Sequence, residues 1–219
     1  MQRRVLRLSG QPDTPLLRGW LHFAALLIAV PLGAVLFRQS RAPVAVLSIG
    51  LYVVGLIALY AVSAGYHLLR WSSPARERMR RLDRAMIYLF IGACYTPLCV
   101  LAVGGTFGIV MLLLGWGAAL FGAVAALTQR ARAARSSLGY IVVGWLALLT
   151  FPRVATTLDA SGFVLLVAGG LTYTVGSIVL AARRPDPSPR MFGYHEVWHA
   201  FVIAGSAFHY ALFWRLAQP

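Results

Sequence analysis

Tyr194-His195-Glu196-Val197-Trp198-His199 opens the last apolar run of the chain and sets two imidazoles four residues apart. On a helix of 3.6 residues per turn that spacing leaves them about 40° apart on one face, one turn apart. An ionisable side chain inside a membrane span marks a functional site by default. Two imidazoles at this spacing form a metal-ligand pattern, and the metal they suit first is zinc. Further parts must come from elsewhere. His67 closes the second apolar run, in Ser63-Ala64-Gly65-Tyr66-His67, and Asp83 stands where the third begins.

Three histidine nitrogens with one position left open make the donor set of a catalytic zinc rather than a closed structural one. His67, His195 and His199 are therefore the candidate ligands, with a water as fourth partner. Zinc lowers the pKa of such a water towards about 7. Asp83 is then the group that binds the water, from the outer shell or as general base. Ser63, one turn from His67 on the same face, orients the water or donates to a developing oxyanion. At this point Asp83 has an equally open reading, since pairing or capping among arginines at a helix start would also account for it.

Glu196 completes a literal His-Glu-x-x-His, in which the glutamate of zinc peptidases is the general base. Such a peptidase needs a third ligand downstream, and only His209 follows. Because His67 and Asp83 supply the missing parts, Glu196 reads as an interface or packing carboxylate. His22 and His209 read as helix-helix hydrogen-bonding groups. His209 lies ten residues beyond His199, about 15 Å deeper and on another face. Cys94 and Cys99 fit no C-x-x-C pattern and read as packing thiols within one span.

The elements that must position these groups are membrane helices. The 219 residues are 59% hydrophobic and only 12% charged, too little polar surface for a soluble domain. Apolar runs recur at about 19–37, 43–69, 82–103, 109–127, 138–151 (reaching towards 158), 162–182 and 195–214. The expectation is an all-α bundle of seven transmembrane helices: a polar tail over 1–18, one domain over 19–214 and a short tail over 215–219. The second run is long, about 40 Å against a hydrocarbon core of about 30 Å, so it must tilt or project into the interface. Ser72-Ser73-Pro74 suggests a turn and a short interfacial helix before the third span. Pro97 should kink that span, and 104–108 reads as a tight uncharged turn. Residues 1–18 do not form a convincing signal peptide.

The net charge of +14 is not a nucleic-acid signal, because all 20 basic residues are arginines clustered between apolar runs. They act as topology determinants. Alternate loops hold sixteen arginines on the amino-terminal side and four on the other, which predicts a cytoplasmic amino terminus and an outside carboxyl terminus. All-arginine, Ala/Gly/Val-rich usage points to a bacterium, and hence to its inner (plasma) membrane. In that frame His67, Asp83, His195 and His199 share one level, at the cytoplasmic ends of their spans.

These residues are familiar in combination. Ser63-Ala64-Gly65-Tyr66-His67, Leu82-Asp83-Arg84-Ala85-Met86-Ile87-Tyr88, Tyr95-Thr96-Pro97 and His195-Glu196-Val197-Trp198-His199 resemble the hemolysin III family. That family groups with the progestin and adipoQ receptors, including the adiponectin receptors, and more distantly with alkaline ceramidases. The likeness runs from the first span to the last. It implies a seven-helix fold with zinc near the cytoplasmic face, His67, His195 and His199 as ligands, Asp83 as water-binding carboxylate and Ser63 in support. It also implies a membrane-lipid partner, a ceramide-like or acyl-amide substrate. Two departures stand out: Arg84 where many relatives have His, and Cys94 in place of a more usual Thr.

Three functions remain to be separated. The first is a zinc-dependent hydrolase of a lipid amide or ester. The second is a non-enzymatic sensor or receptor whose zinc staples spans two, three and seven. The third is a cytolytic pore former, for which the sequence offers neither an amphipathic insertion segment nor a ring of pore-lining charge.

Overall fold

The computed structural model describes residues 14–128 and 137–218. Arg3, Arg4 and Arg7 of the tail, and Arg130, Arg132 and Arg135 of the fourth connection, lie outside the described residues. Helix α1 covers Trp20–Gln39 and α2 covers Pro43–Leu68. Helix α3, Ser73–Pro97, runs on through a π-helical stretch, Leu98–Val103. Helix α4 is Gly105–Thr128. The fifth span is broken into α5, Ser137–Trp145, a 3-10 segment, Leu146–Thr150, and α6, Phe151–Thr157. Helices α7, Ala160–Ala182, and α8, Tyr194–Leu216, complete the bundle. Among the described residues, seven helices are long and apolar enough to cross a membrane.

Two local expectations need correction, and a third is settled between its limits. The short interfacial helix and the third span are one helix, because nothing between Pro74 and Pro97 breaks it. Pro74 sits in the first turn, where its missing N–H costs nothing. Glu77 holds Arg80 at 2.6 Å and Arg81 at 2.9 Å across single helical turns, which supports the polar beginning of α3. The 104–108 turn shrinks to Gly104 and Gly105, whose φ values of 66° and 60° reverse the chain, and α4 begins at once. The fifth span reaches Thr157, the longer of the two limits read from sequence. Pro152 has no N–H to offer the Leu148 carbonyl, which instead accepts from Phe151 in the tighter 3-10 pattern.

Packing follows membrane rules. Helix α4 buries Gly108, Gly115, Ala119, Gly122 and Ala126 while exposing Leu113, Leu114, Phe121 and Val124. Lipid tails are as apolar as leucine, so small residues face the protein and let backbones approach. A Cβ on Gly122 would meet Tyr88 at 2.4 Å, and one on Gly115 would meet Tyr95 at 2.6 Å. Two tyrosines seven residues apart on α3 thus fit two glycines seven apart on α4. Helices α7 and α8 interlock similarly, with Gly176 under Trp198 and Phe201, and Gly205 under Tyr173. This second interlock fixes the helix that carries His195 and His199.

Candidate metal site and its cavity

Several helices meet at one end of the bundle: the start of α1, the last turns of α2, the part of α3 around Asp83, the last turn of α7 and the first turns of α8. His67 arrives from α2, and His195 and His199 from α8. One nitrogen from each ring can be chosen so that all three lie within 4.8 Å of one another. The Nε2 atoms of His67 and His195 are 3.3 Å apart. Ligands on a tetrahedral zinc, at about 2.0–2.1 Å from the metal, stand roughly 3.3 Å from each other. His199 Nδ1 is buried without a hydrogen-bond partner, an environment that favours a ligand for one of this ring's nitrogens. Donor type, spacing and an orphaned ring nitrogen all fit such an ion.

Three other side chains gather beside the cluster. Asp83 lies well inside α3, not at its start, so it does not cap the helix. The Ser63 hydroxyl stands near enough to act on its carboxylate. Ser63 also shares a 2.8 Å hydrogen bond with His22 Nδ1. The His22 ring stacks on His199, with centroids 3.8 Å apart and planes 12° from parallel. His22 does join two helices by a hydrogen bond, as expected, but it is also part of the site. The signal for this was in the sequence: His22 stands at the same span end as the other histidines.

His209 does not make the helix-helix hydrogen bond expected of it. Neither ring nitrogen has a partner of ordinary geometry, although a backbone group of Leu166 acts on the ring. The ring instead fills the space above Gly169, where a Cβ would come within 2.4 Å of it.

Glu196 belongs to the scaffold. It is 0% exposed, accepts from the Gly193 N–H at 2.8 Å through Oε2, and pairs with Arg18 through Oε1. Both oxygens are committed. Arg18 is delivered by a strap in which the Leu16 and Leu17 N–H groups donate to the carbonyls of Arg190 and Met191 at 3.0 and 3.1 Å. Gly19, at φ 85°, lets the strap turn into α1 where a Cβ would come within 2.6 Å of His67 Cβ. Removing one partner of a buried ion pair leaves an uncompensated charge and costs about 3–5 kcal/mol. Glu196→Ala is accordingly expected to lower the thermal midpoint in detergent markedly. The double variant Arg18→Leu, Glu196→Leu should recover part of the loss, and an unchanged midpoint in the single variant would contradict this account.

A cavity of about 750 Å³ opens from the site and is walled by every span but the fourth. His22, Ser63, Asp83, His195 and His199 line one end, and Val202, His209 and Phe213 lie deeper along α8. His67 is buried behind this wall and is not among the lining residues. Cys94 also lines the cavity, whereas Cys99 packs with Tyr95 and Met111; both thiols are free.

A multi-pass, all-helical membrane protein with a buried three-histidine cluster on the wall of an internal cavity is the class that fold and site define. The chain belongs to the haemolysin-III related family, whose model matches residues 11–210. It is 29% identical over 177 residues to a Hemolysin-3 homolog of Bacillus subtilis (strain 168), covering 80% of each chain. It is 32% identical over 165 residues to Hemolysin-3 of Bacillus cereus, covering 74% of this chain and 72% of that one. A human protein, monocyte to macrophage differentiation factor, is 27% identical over 170 residues, 75% of this chain and 68% of its own. This last likeness is consistent with the wider progestin and adipoQ receptor grouping.

Proposed function

We propose that the protein is a zinc-dependent membrane hydrolase of a lipid amide or ester, resembling ceramidases in its chemistry. One observation carries the reading: three imidazoles can share an ion, and two of them, His195 and His199, line a cavity also lined by Asp83 and Ser63. His67, His195 and His199 would hold the ion, which when bound supplies Lewis acidity and an open position for water. Asp83 takes a proton from the attacking water as its oxygen bonds to the acyl carbon. The same carboxyl returns the proton to the leaving nitrogen or oxygen as the amide or ester bond breaks. Ser63, held by His22 Nδ1 at 2.8 Å, orients the water beside Asp83 or donates its hydroxyl proton to the developing oxyanion. The apolar reach of the cavity towards Phe213 holds the acyl chain and keeps bulk water out. The arginine distribution supports a cytoplasmic amino terminus, which puts the site at the inner leaflet of a bacterial plasma membrane.

A second reading, in which the ion only staples α2 to α8 in a sensor, draws on His67, which is buried behind the cavity rather than exposed to it. Turnover separates the two. Purified protein should carry zinc and cleave at least one member of a panel of ceramides and acyl amides, and lose that activity to a chelator. Stoichiometric zinc with no cleavage across the panel would overturn the hydrolase reading.

A further inference from the structure

The rim of the cavity carries charge that the proposed reaction does not use. Arg84 follows Asp83 on α3 and Arg183 caps the end of α7. Both line the cavity at the end that holds Tyr194 and His195. Neither has a carboxylate within 4.0 Å, nor a hydrogen bond, among the described residues. Their neighbours differ: Arg80 and Arg81 hold Glu77, and Arg18 holds Glu196. Arg84 stands close enough to act electrostatically on both Asp83 and His195, on either side of the site.

Arg183 adds an independent sign. At φ 55° it is the one non-glycine residue in the left-handed region among the described residues. Helices commonly end at such a position with glycine, because a side chain is disfavoured there. Here the side chain is an arginine on the rim of the cavity, and backbone strain of this kind collects at functional sites. Among the residues that line the cavity, these two guanidinium groups face one acidic side chain, Asp83, and low-dielectric walls focus the resulting field into the cavity. Guanidinium forks match carboxylate and phosphate oxygens.

We propose that the cavity takes amphiphiles with an anionic head, a carboxylate or phosphate, held by Arg84 and Arg183 beside the histidine cluster while the acyl chain runs inward towards Phe213. This names the substrate class of the proposed hydrolase and rests on the assignment of the cavity as its lipid site. The head is part of the amphiphile, and a free anion is not the ligand.

The test compares two amides with the same chain, N-oleoylglycine and N-oleoylethanolamine, binding to zinc-loaded full-length protein in detergent. The anionic amide is expected to bind about tenfold tighter or more. Arg84→Gln and Arg183→Gln should each cut that preference several-fold and together abolish it, with affinity for the neutral amide unchanged. Arg183→Gly, which relieves the left-handed backbone, provides a variant that folds should the glutamine substitution not.

Equal binding of the two amides by the unaltered protein, or a preference that survives in the double variant, overturns the proposal. So does displacement of N-oleoylglycine by inorganic phosphate at equal concentration, which would mark a free-anion site. Repeating the comparison after chelation separates this inference from the hydrolase reading. The head preference should persist without zinc, and its loss there with both arginines present would overturn their assignment.

Discussion

Replacing His199 by alanine is expected to reduce zinc from about one ion per chain to none that survives purification. Among the described residues three histidine nitrogens are placed to share an ion, so the variant leaves two. Even changes beyond the direct ligands cost about 10–100-fold in metal affinity, and deleting one of three donors should cost more. The fold should register the loss as well. His67 and His195 are 128 positions apart in sequence, and an ion between them ties the end of α2 to the start of α8. Chelation should therefore lower the thermal midpoint of the unaltered protein and leave that of His199→Ala unmoved. Elemental analysis alongside the melting curves checks both. Equal zinc in the variant and the parent would mean that these rings do not bind the ion.

The second large effect concerns catalysis. Asp83→Asn should keep zinc at the level of the parent and lower turnover by about 10²–10⁴-fold, the usual contribution of a positioned acid–base group. Asparagine preserves size and can still meet the Ser63 hydroxyl, but it cannot take the proton from water. Asp83 is not part of the group of rings that could share an ion, so metal content and activity should part company. If the ion were only a staple, the same substitution would leave function as it was and change stability slightly. Metal content measured on the same samples as turnover decides between these outcomes.

Most of the helices were legible because composition alone demands them: seven long apolar runs separated by arginine clusters leave few alternatives. The ligand candidates were legible because spacing on α8 and span-end depth for His67 and Asp83 are both readable without contacts. What escaped was lateral. Depth put His22 at the right level, yet a lone histidine carries no sign of which helix it will face, and only the packed bundle shows it stacked on His199. His209 was given a hydrogen bond that it lacks because glycine spacing on α7, not polarity, decides where its ring goes. The break expected after Pro74 was misplaced, because proline in the first turn of a helix starts it rather than stopping it. Pro74 and Pro152 begin helical segments here, while Pro97 precedes a widened π-helical stretch. Arg84 was visible as a departure, but its lack of a carboxylate partner is a property of the assembled rim.

The strap before α1 and the histidine cluster share one consequence for biosynthesis. Arg18 waits 178 positions for Glu196, and His67 waits 128 for His195. Both locks are closed by α8, the last in chain order of the described helices. A nascent chain with six spans already inserted has neither its amino-terminal clasp nor a complete ligand set. An ion shared by the three rings could be taken up only after α8 has been made, and a chain truncated before α8 would leave Arg18 and His67 without their partners.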